Sequence, residues 1–177
     1  MPGGEADEIG PFYLVGSNAL PSDRSDFRNS LQEGETFETD FIGASLEDCQ
    51  AWAQEAQRQV RFIEYDLIAI MDARSAQDKT VLMSHYVPPD PGTPIRFPPF
   101  GVLPRERDTW YNYRVEFSYA PFLQVAFYFS PKELFYPAYF GRKEDFTDER
   151  GVFNVAEAEL FSDEYREDDY WVDPARL

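Results

Sequence analysis

The stretch LIAIMDARSAQDKTVLMSHY, residues 67–86, decides the fold. Its first apolar run, Leu67-Ile68-Ala69-Ile70-Met71, puts apolar side chains on both faces of an extended strand. Such a pattern is expected in the middle of a covered sheet. The second run, Thr80-Val81-Leu82-Met83, starts β-branched and leads into Ser84-His85-Tyr86. The polar connection Asp72 to Lys79 is too short for a helical crossover, so the two strands must be antiparallel neighbours.

Working outward, Trp110 to Phe117 has the plainest strand pattern. Tyr111, Tyr113, Val115 and Phe117 alternate with Asn112, Arg114 and Glu116, giving one buried and one polar face. Ser118 to Phe129 reads as a largely buried helix with Pro121 in its first turn, and Pro131 to Phe135 as a short helix ended by Pro137. Gly151 to Phe153 suggests a last short strand, and Asn154 caps a helix from Val155 to about Phe161. Toward the N-terminus, Ser45 with Asp48 three positions on forms a capping box for a helix reaching about Arg58. Its inner stripe is Leu46, Cys49, Ala53 and Ala56, which makes Cys49 a packed small hydrophobe. Phe12 to Val15 and Thr36 to Ile42 read as strands, and Ser22 or Asp23 starts a helix through Phe27 and Leu31.

Together these elements predict an α+β (α/β-like) fold: one domain over residues 11–161, with a mixed, largely antiparallel central sheet packed by helices. Residues 1–10 are expected to be a disordered acidic tail, and 162–177 an acidic, aromatic tail packed on the domain. Residues 87–104 hold 7 of the 14 prolines, which excludes a helix or a central strand. The Pro-rich loop, 87–109, is a flap over a pocket, an interaction loop or a rigid surface connection.

The segment from Asp72 through Ser75 to Asp78-Lys79-Thr80-Val81-Leu82 resembles a small uncharacterised family of microbial domains. In that family a strand ends in Asp, a Ser- or Thr-containing turn follows, and an Asp-x-Thr-Val-Leu strand returns. Leu14-Val15, Asp26-Phe27 and Leu31 are similar in placement to its opening strand and helix. The resemblance implies a fold and assigns no site residues.

Charge narrows the function. Of the net −17, residues 1–50 carry 11 acids against Arg24 and Arg28, and residues 144–173 carry 12 acids against Arg150 and Arg166. The middle, 51–143, is balanced, with 10 acids and 11 bases. No basic cluster is present to face phosphate, so direct nucleic-acid binding and anionic membranes are disfavoured. A basic protein or cationic ligand would be attracted. With no secretory signal, no apolar run of transmembrane length and one cysteine, a cytoplasmic protein is expected.

One histidine and one cysteine exclude a three-histidine zinc site and disfavour a Cys–His pair; no phosphate loop or calcium loop is present, and neither metal nor cofactor is expected. The remaining catalytic constellation is Asp72, His85 and Arg114, if the strands carrying them pair. Candidate partner-binding residues are Asp163, Glu164, Tyr165, Asp168, Asp169, Tyr170 and Trp171, acids interleaved with rings. Two functions are therefore expected as alternatives: a non-catalytic interaction protein for a basic partner, or a cofactor-independent lyase, isomerase or cyclase with an aromatic-lined pocket under the Pro-rich loop. Whether the chain is an enzyme is left open by its sequence.

Overall fold

The computed structural model describes residues 12–60, 66–90 and 92–167. The expected N-terminal tail and the end of the C-terminal one lie outside these. The fold is α+β, with antiparallel strands and helices, and the chain divides into two compact units, residues 1–65 and 66–177.

In the first unit the capping box forms as expected. Ser45 Oγ accepts from Asp48 N at 3.1 Å, Asp48 Oδ2 accepts from Ser45 N at 3.0 Å, and helix α1 runs Leu46–Gln59. Ala53 and Ala56 are buried, and Cys49 is half-buried with its thiol pKa raised by burial and by the Asp48 charge. The strands expected at 12–15 and 36–42 do not form. Leu14 makes one isolated bridge to Arg28, and the expected helix over 22–31 is a 3-10 turn, Arg24–Asp26. Side chains hold these segments instead. The Arg28 guanidinium forks onto Glu35 at 2.6 and 2.8 Å, Thr39 Oγ1 donates to the Val15 carbonyl at 2.8 Å, and Trp52 Nε1 donates to the Asn18 carbonyl at 2.9 Å. β-Propensity without a neighbouring strand to pair with does not make a ladder.

In the second unit β1 (Leu67–Ile70) and β2 (Thr80–Val87) are antiparallel neighbours. The connection holds a short helix that the sequence pattern did not reveal, α2 (Ala73–Asp78). Asp72 caps it through a reciprocal pair with Ser75 at 2.9 and 3.1 Å, and Lys79 closes it in the left-handed conformation with φ 59°.

After a two-stranded ribbon, β3 (Ile95–Phe97) and β4 (Gly101–Leu103), which forms inside the Pro-rich segment, β5 (Thr109–Glu116) pairs with the other side of β2. The sheet order is β1-β2-β5, so β2 is central and β1, among the described residues, is an edge strand. That corrects the expectation from its two-faced apolar run: Ala69 is exposed and Ile68 and Ile70 are half-buried. Val152 adds one parallel bridge outside β5, with Phe153 N donating to the Arg114 carbonyl at 2.7 Å.

Helix α3 (Ala120–Phe129) starts with Pro121, as expected. It is not largely buried: Leu123 and Ala126 pack inward while Phe122, Val125 and Phe129 are 62%, 51% and 79% exposed. Helix α4 (Lys132–Tyr136) does not stop at Pro137. It widens into a π-helical turn, Pro137–Gly141, closed by Arg142 N donating to the Pro137 carbonyl at 2.9 Å. Pro137 is the first residue of that turn, the position at which a helix best tolerates a missing N–H. Helix α5 runs Val155–Glu167, past the expected end at Phe161, with Asn154 Oδ1 accepting from Glu157 N at 3.2 Å.

The core of this unit is aromatic. Tyr113 meets Phe127, Tyr139 and Phe153 at centroid distances of 5.5, 6.1 and 5.2 Å, and Phe135 meets Tyr136 and Phe127 edge-on at 4.9 and 5.5 Å. Edge-on pairs of this kind add about 0.5–1.5 kcal/mol each beyond their burial. Tyr113 Oη donates to the Tyr139 carbonyl at 2.8 Å, and Tyr139 Oη donates to Glu159 at 2.5 Å, so both buried hydroxyls are satisfied.

Candidate functional site

The ladder register decides which chemical groups meet. Leu82 pairs with Arg114, and across the first ladder Ile70 pairs with Leu82, so Asp72 and Arg114 fall at the same end of the sheet. They form an ion pair. Arg114 Nη1 lies 3.2 Å from Asp72 Oδ1, Nη2 closes on Oδ2, and Nη1 also donates to Thr80 Oγ1 at 3.1 Å. The Arg114 hydrogen bonds, helped by the Ser75 N–H and hydroxyl, hold the Asp72 carboxyl down to about 2.

His85 does not join them. It stands three residues along β2 from Leu82, about 10 Å at strand rise, and strand alternation turns it to the opposite face. There its ring stacks on Phe127 at 4.1 Å, and Nδ1 donates to the Asp66 carbonyl at 2.9 Å, which fixes the proton on Nδ1. Burial pushes its pKa down to about 4, against a partly offsetting pull from Asp66. The expected acid–imidazole–guanidinium site is therefore split between the two faces of the sheet.

The acidic candidates divide as well. Helix α5 packs Val155, Ala158, Ser162 and Tyr165 inward and leaves Glu157, Leu160, Asp163 and Glu164 exposed. Asp163 and Glu164 thus lie on the solvent side of the helix. Tyr165 does not: its ring packs on Phe161 at 5.7 Å and on Phe100 at 6.5 Å, and Oη donates to the Pro98 carbonyl at 3.0 Å. It anchors α5 to the Pro-rich segment. Asp168, Asp169, Tyr170 and Trp171 lie outside the described residues.

A feature that the sequence pattern did not reveal is an open cleft of about 640 Å³ beside β5. Phe140 and Tyr111, edge-on at 4.8 Å, form its aromatic wall. The Tyr111 hydroxyl is tied to the loop before it, accepting from Glu106 N at 3.0 Å and donating to the Glu106 carbonyl at 3.2 Å. Arg105, Arg142 and Lys143 bring bases to the rim, and Glu106, Glu144 and Asp145 bring acids. Arg142 Nε is paired with Asp145 at 2.8 Å, and its guanidinium lies over the Phe161 and Phe146 rings at 4.6 and 5.1 Å. The paired bases at 105/107 and 142/143 were the available sequence signal, diluted by the acids beside them.

Among the described residues no group of three or more His, Cys, Asp or Glu side chains is arranged to hold a metal ion, and no helix is long and apolar enough to cross a membrane. Comparison with protein-family models, with curated proteins and with solved structures finds no match to this chain.

Proposed function

We propose that the chain is a non-catalytic binding protein that engages a basic partner through the outer face of α5. The observation that carries this reading is the division of that helix: a buried apolar side fixes it, and Glu157, Leu160, Asp163 and Glu164 project from the other. Leu160, 64% exposed among carboxylates, is the kind of central apolar contact around which a charged rim organises. The 12 acids of residues 144–173 supply the long-range field that steers a cationic surface toward it. The test is affinity capture at low and high salt with the wild-type chain and the triple variant Glu157→Gln, Asp163→Asn, Glu164→Gln. A captured partner should be basic, should be released by salt, and should be lost with the variant. Equal capture by the variant, or no capture at low salt, refutes the reading.

A second reading, a cofactor-independent lyase, isomerase or cyclase, is favoured by the cleft that Arg105 and Glu106 of the Pro-rich loop help to line, whose volume is that of a ligand site. Asp72, His85 and Arg114 do not line it. Catalysis there would have to use other groups, and a substrate turned over equally well by the Asp72→Ala, His85→Ala, Arg114→Ala variant would place it there.

A further inference from the structure

We propose that the cleft beside β5 binds a small ring-bearing carboxylate, its ring against Phe140 and Tyr111 and its anion on Lys143. This goes beyond the acidic-face reading, since none of the four exposed α5 residues lines the cleft.

The sign of the ligand's charge follows from what each rim group already holds. Arg142 and Asp145 satisfy one another at 2.8 Å, and the Arg142 guanidinium is further occupied by two rings. Arg105 and Glu106 are exposed and so are screened by water. Glu144 is exposed also. Lys143 differs from all of these. It is half-buried, its ammonium lies 4.8 Å from the centroid of the fully buried Tyr113 ring, and among the described residues no carboxylate is within ion-pair distance of it. A ring face only partly replaces the water that a lysine loses on burial. Burial accordingly lowers its pKa, with the Glu144 charge acting the other way. A desolvated cation bordering an open cleft gains most from an anion that comes with its own apolar body, since that body displaces water from the site.

The body's shape follows from the wall. Phe140 is buried and fixed edge-on to Tyr111, and Tyr111 is immobilised by its hydroxyl bonds to Glu106. A preformed pair of rings receives a flat ring with little reordering. Gly141 holds that wall close to the ribbon, for a Cβ there would stand 3.0 Å from Phe100 Cγ and 3.3 Å from Leu103 Cδ1.

The probe is benzoate, titrated into the full chain and followed by NMR and calorimetry, with benzamide as the uncharged ring and inorganic phosphate as the ringless anion. Benzoate should shift the Phe140, Lys143 and Tyr111 signals and bind at least tenfold tighter than either control. Lys143→Met should weaken benzoate at least tenfold, and Lys143→Arg should restore most of it. Should Lys143→Met fail to fold, the wild-type pH profile decides: benzoate affinity must fall as pH rises through the deprotonation of Lys143. No benzoate binding at millimolar concentration, equal binding of benzamide or of phosphate, an unchanged affinity in folded Lys143→Met, or shifts confined to another surface would each overturn the proposal.

Discussion

His85 is the only histidine in the chain, so its titration can be followed without interference from another. In the folded state its ring is stacked on Phe127 at 4.1 Å and its Nδ1–H is spent on the Asp66 carbonyl, and burial lowers its pKa to about 4. In the unfolded chain the value returns to about 6.5. Below that pH the unfolded state binds a proton that the folded state refuses, so stability rises with pH between the two values and is lost as pH falls. A tenfold difference in proton affinity between the two states is worth about 1.4 kcal/mol, so the fall from pH 7.5 to about 5 removes about 2 kcal/mol. That window lies above the carboxylates, whose losses come at lower pH. The assay is urea unfolding at several pH values across the window, for the wild type and for His85→Phe, which keeps a flat ring against Phe127. The wild type should lose about 2 kcal/mol and the variant much less. Parallel curves for the two proteins, or a native histidine Cε1–H that titrates near the unfolded value, would refute the half-buried neutral imidazole.

Asp72 and Arg114 make a second prediction. Arg114 is 10% exposed at its side chain and Asp72 is 40% exposed, so the full worth of the lowered Asp72 pKa must be discounted for water. Arg114→Met and Asp72→Asn should each cost about 1–2 kcal/mol, with a double-mutant coupling of about 1 kcal/mol in urea unfolding; a coupling indistinguishable from zero would mean the pair is ornamental. Because the folded Asp72 value lies below the ordinary one, the pair's contribution is present above about pH 4 and disappears as pH falls through about 2. Gly141→Ala should cost about 1–3 kcal/mol by forcing Phe100 and Leu103 apart, read as a drop in thermal midpoint. Ser45→Ala removes the acceptor for Asp48 N and should cost about 1 kcal/mol, measured by helix loss in far-UV dichroism during urea titration.

What could be read from the sequence was what neighbouring residues settle among themselves. The α1 capping box, the alternation of Tyr111 to Val115 and the Asn154 cap are signals a few residues long, and each appears where expected. The short connection from Asp72 to Lys79 likewise fixes the antiparallel pairing, although the helix inside it, six residues long, is too short to show a helical apolar period. The pattern departs from the structure where the answer depends on distant chain. Thr36 to Ile42 has strand composition and finds no ladder. Phe122 and Phe129 look like core residues and face outward, because Leu123 and Ala126 already fill the inner side of α3. The cleft joins Arg105 to Lys143 across a separation that a charge tally by segment averages away.

The fate of Asp72, His85 and Arg114 shows why pairing alone does not assemble a site. Along β2, Thr80, Leu82, Ser84 and Tyr86 share the Arg114 face, where Ser84 Oγ donates to Asn112 Oδ1 at 2.6 Å. Val81, Met83, His85 and Val87 share the ring-packed face with Tyr113 and Val115. Bringing the imidazole opposite Arg114, to the Asp72–Arg114 pair, would require β2 to slip by three residues, and any odd slip inverts every side chain on the strand. Met83, fully buried, would then leave the ring-packed face that holds Tyr113, at a cost of about 2–3 kcal/mol for that side chain alone, and Thr80 would lose its bond to Arg114. The packing that stabilises the sheet is thus what holds the imidazole and the carboxylate apart. Acid–base chemistry at this hairpin would have to work against the core, whereas a cation beside an aromatic wall in the β5 cleft works with it.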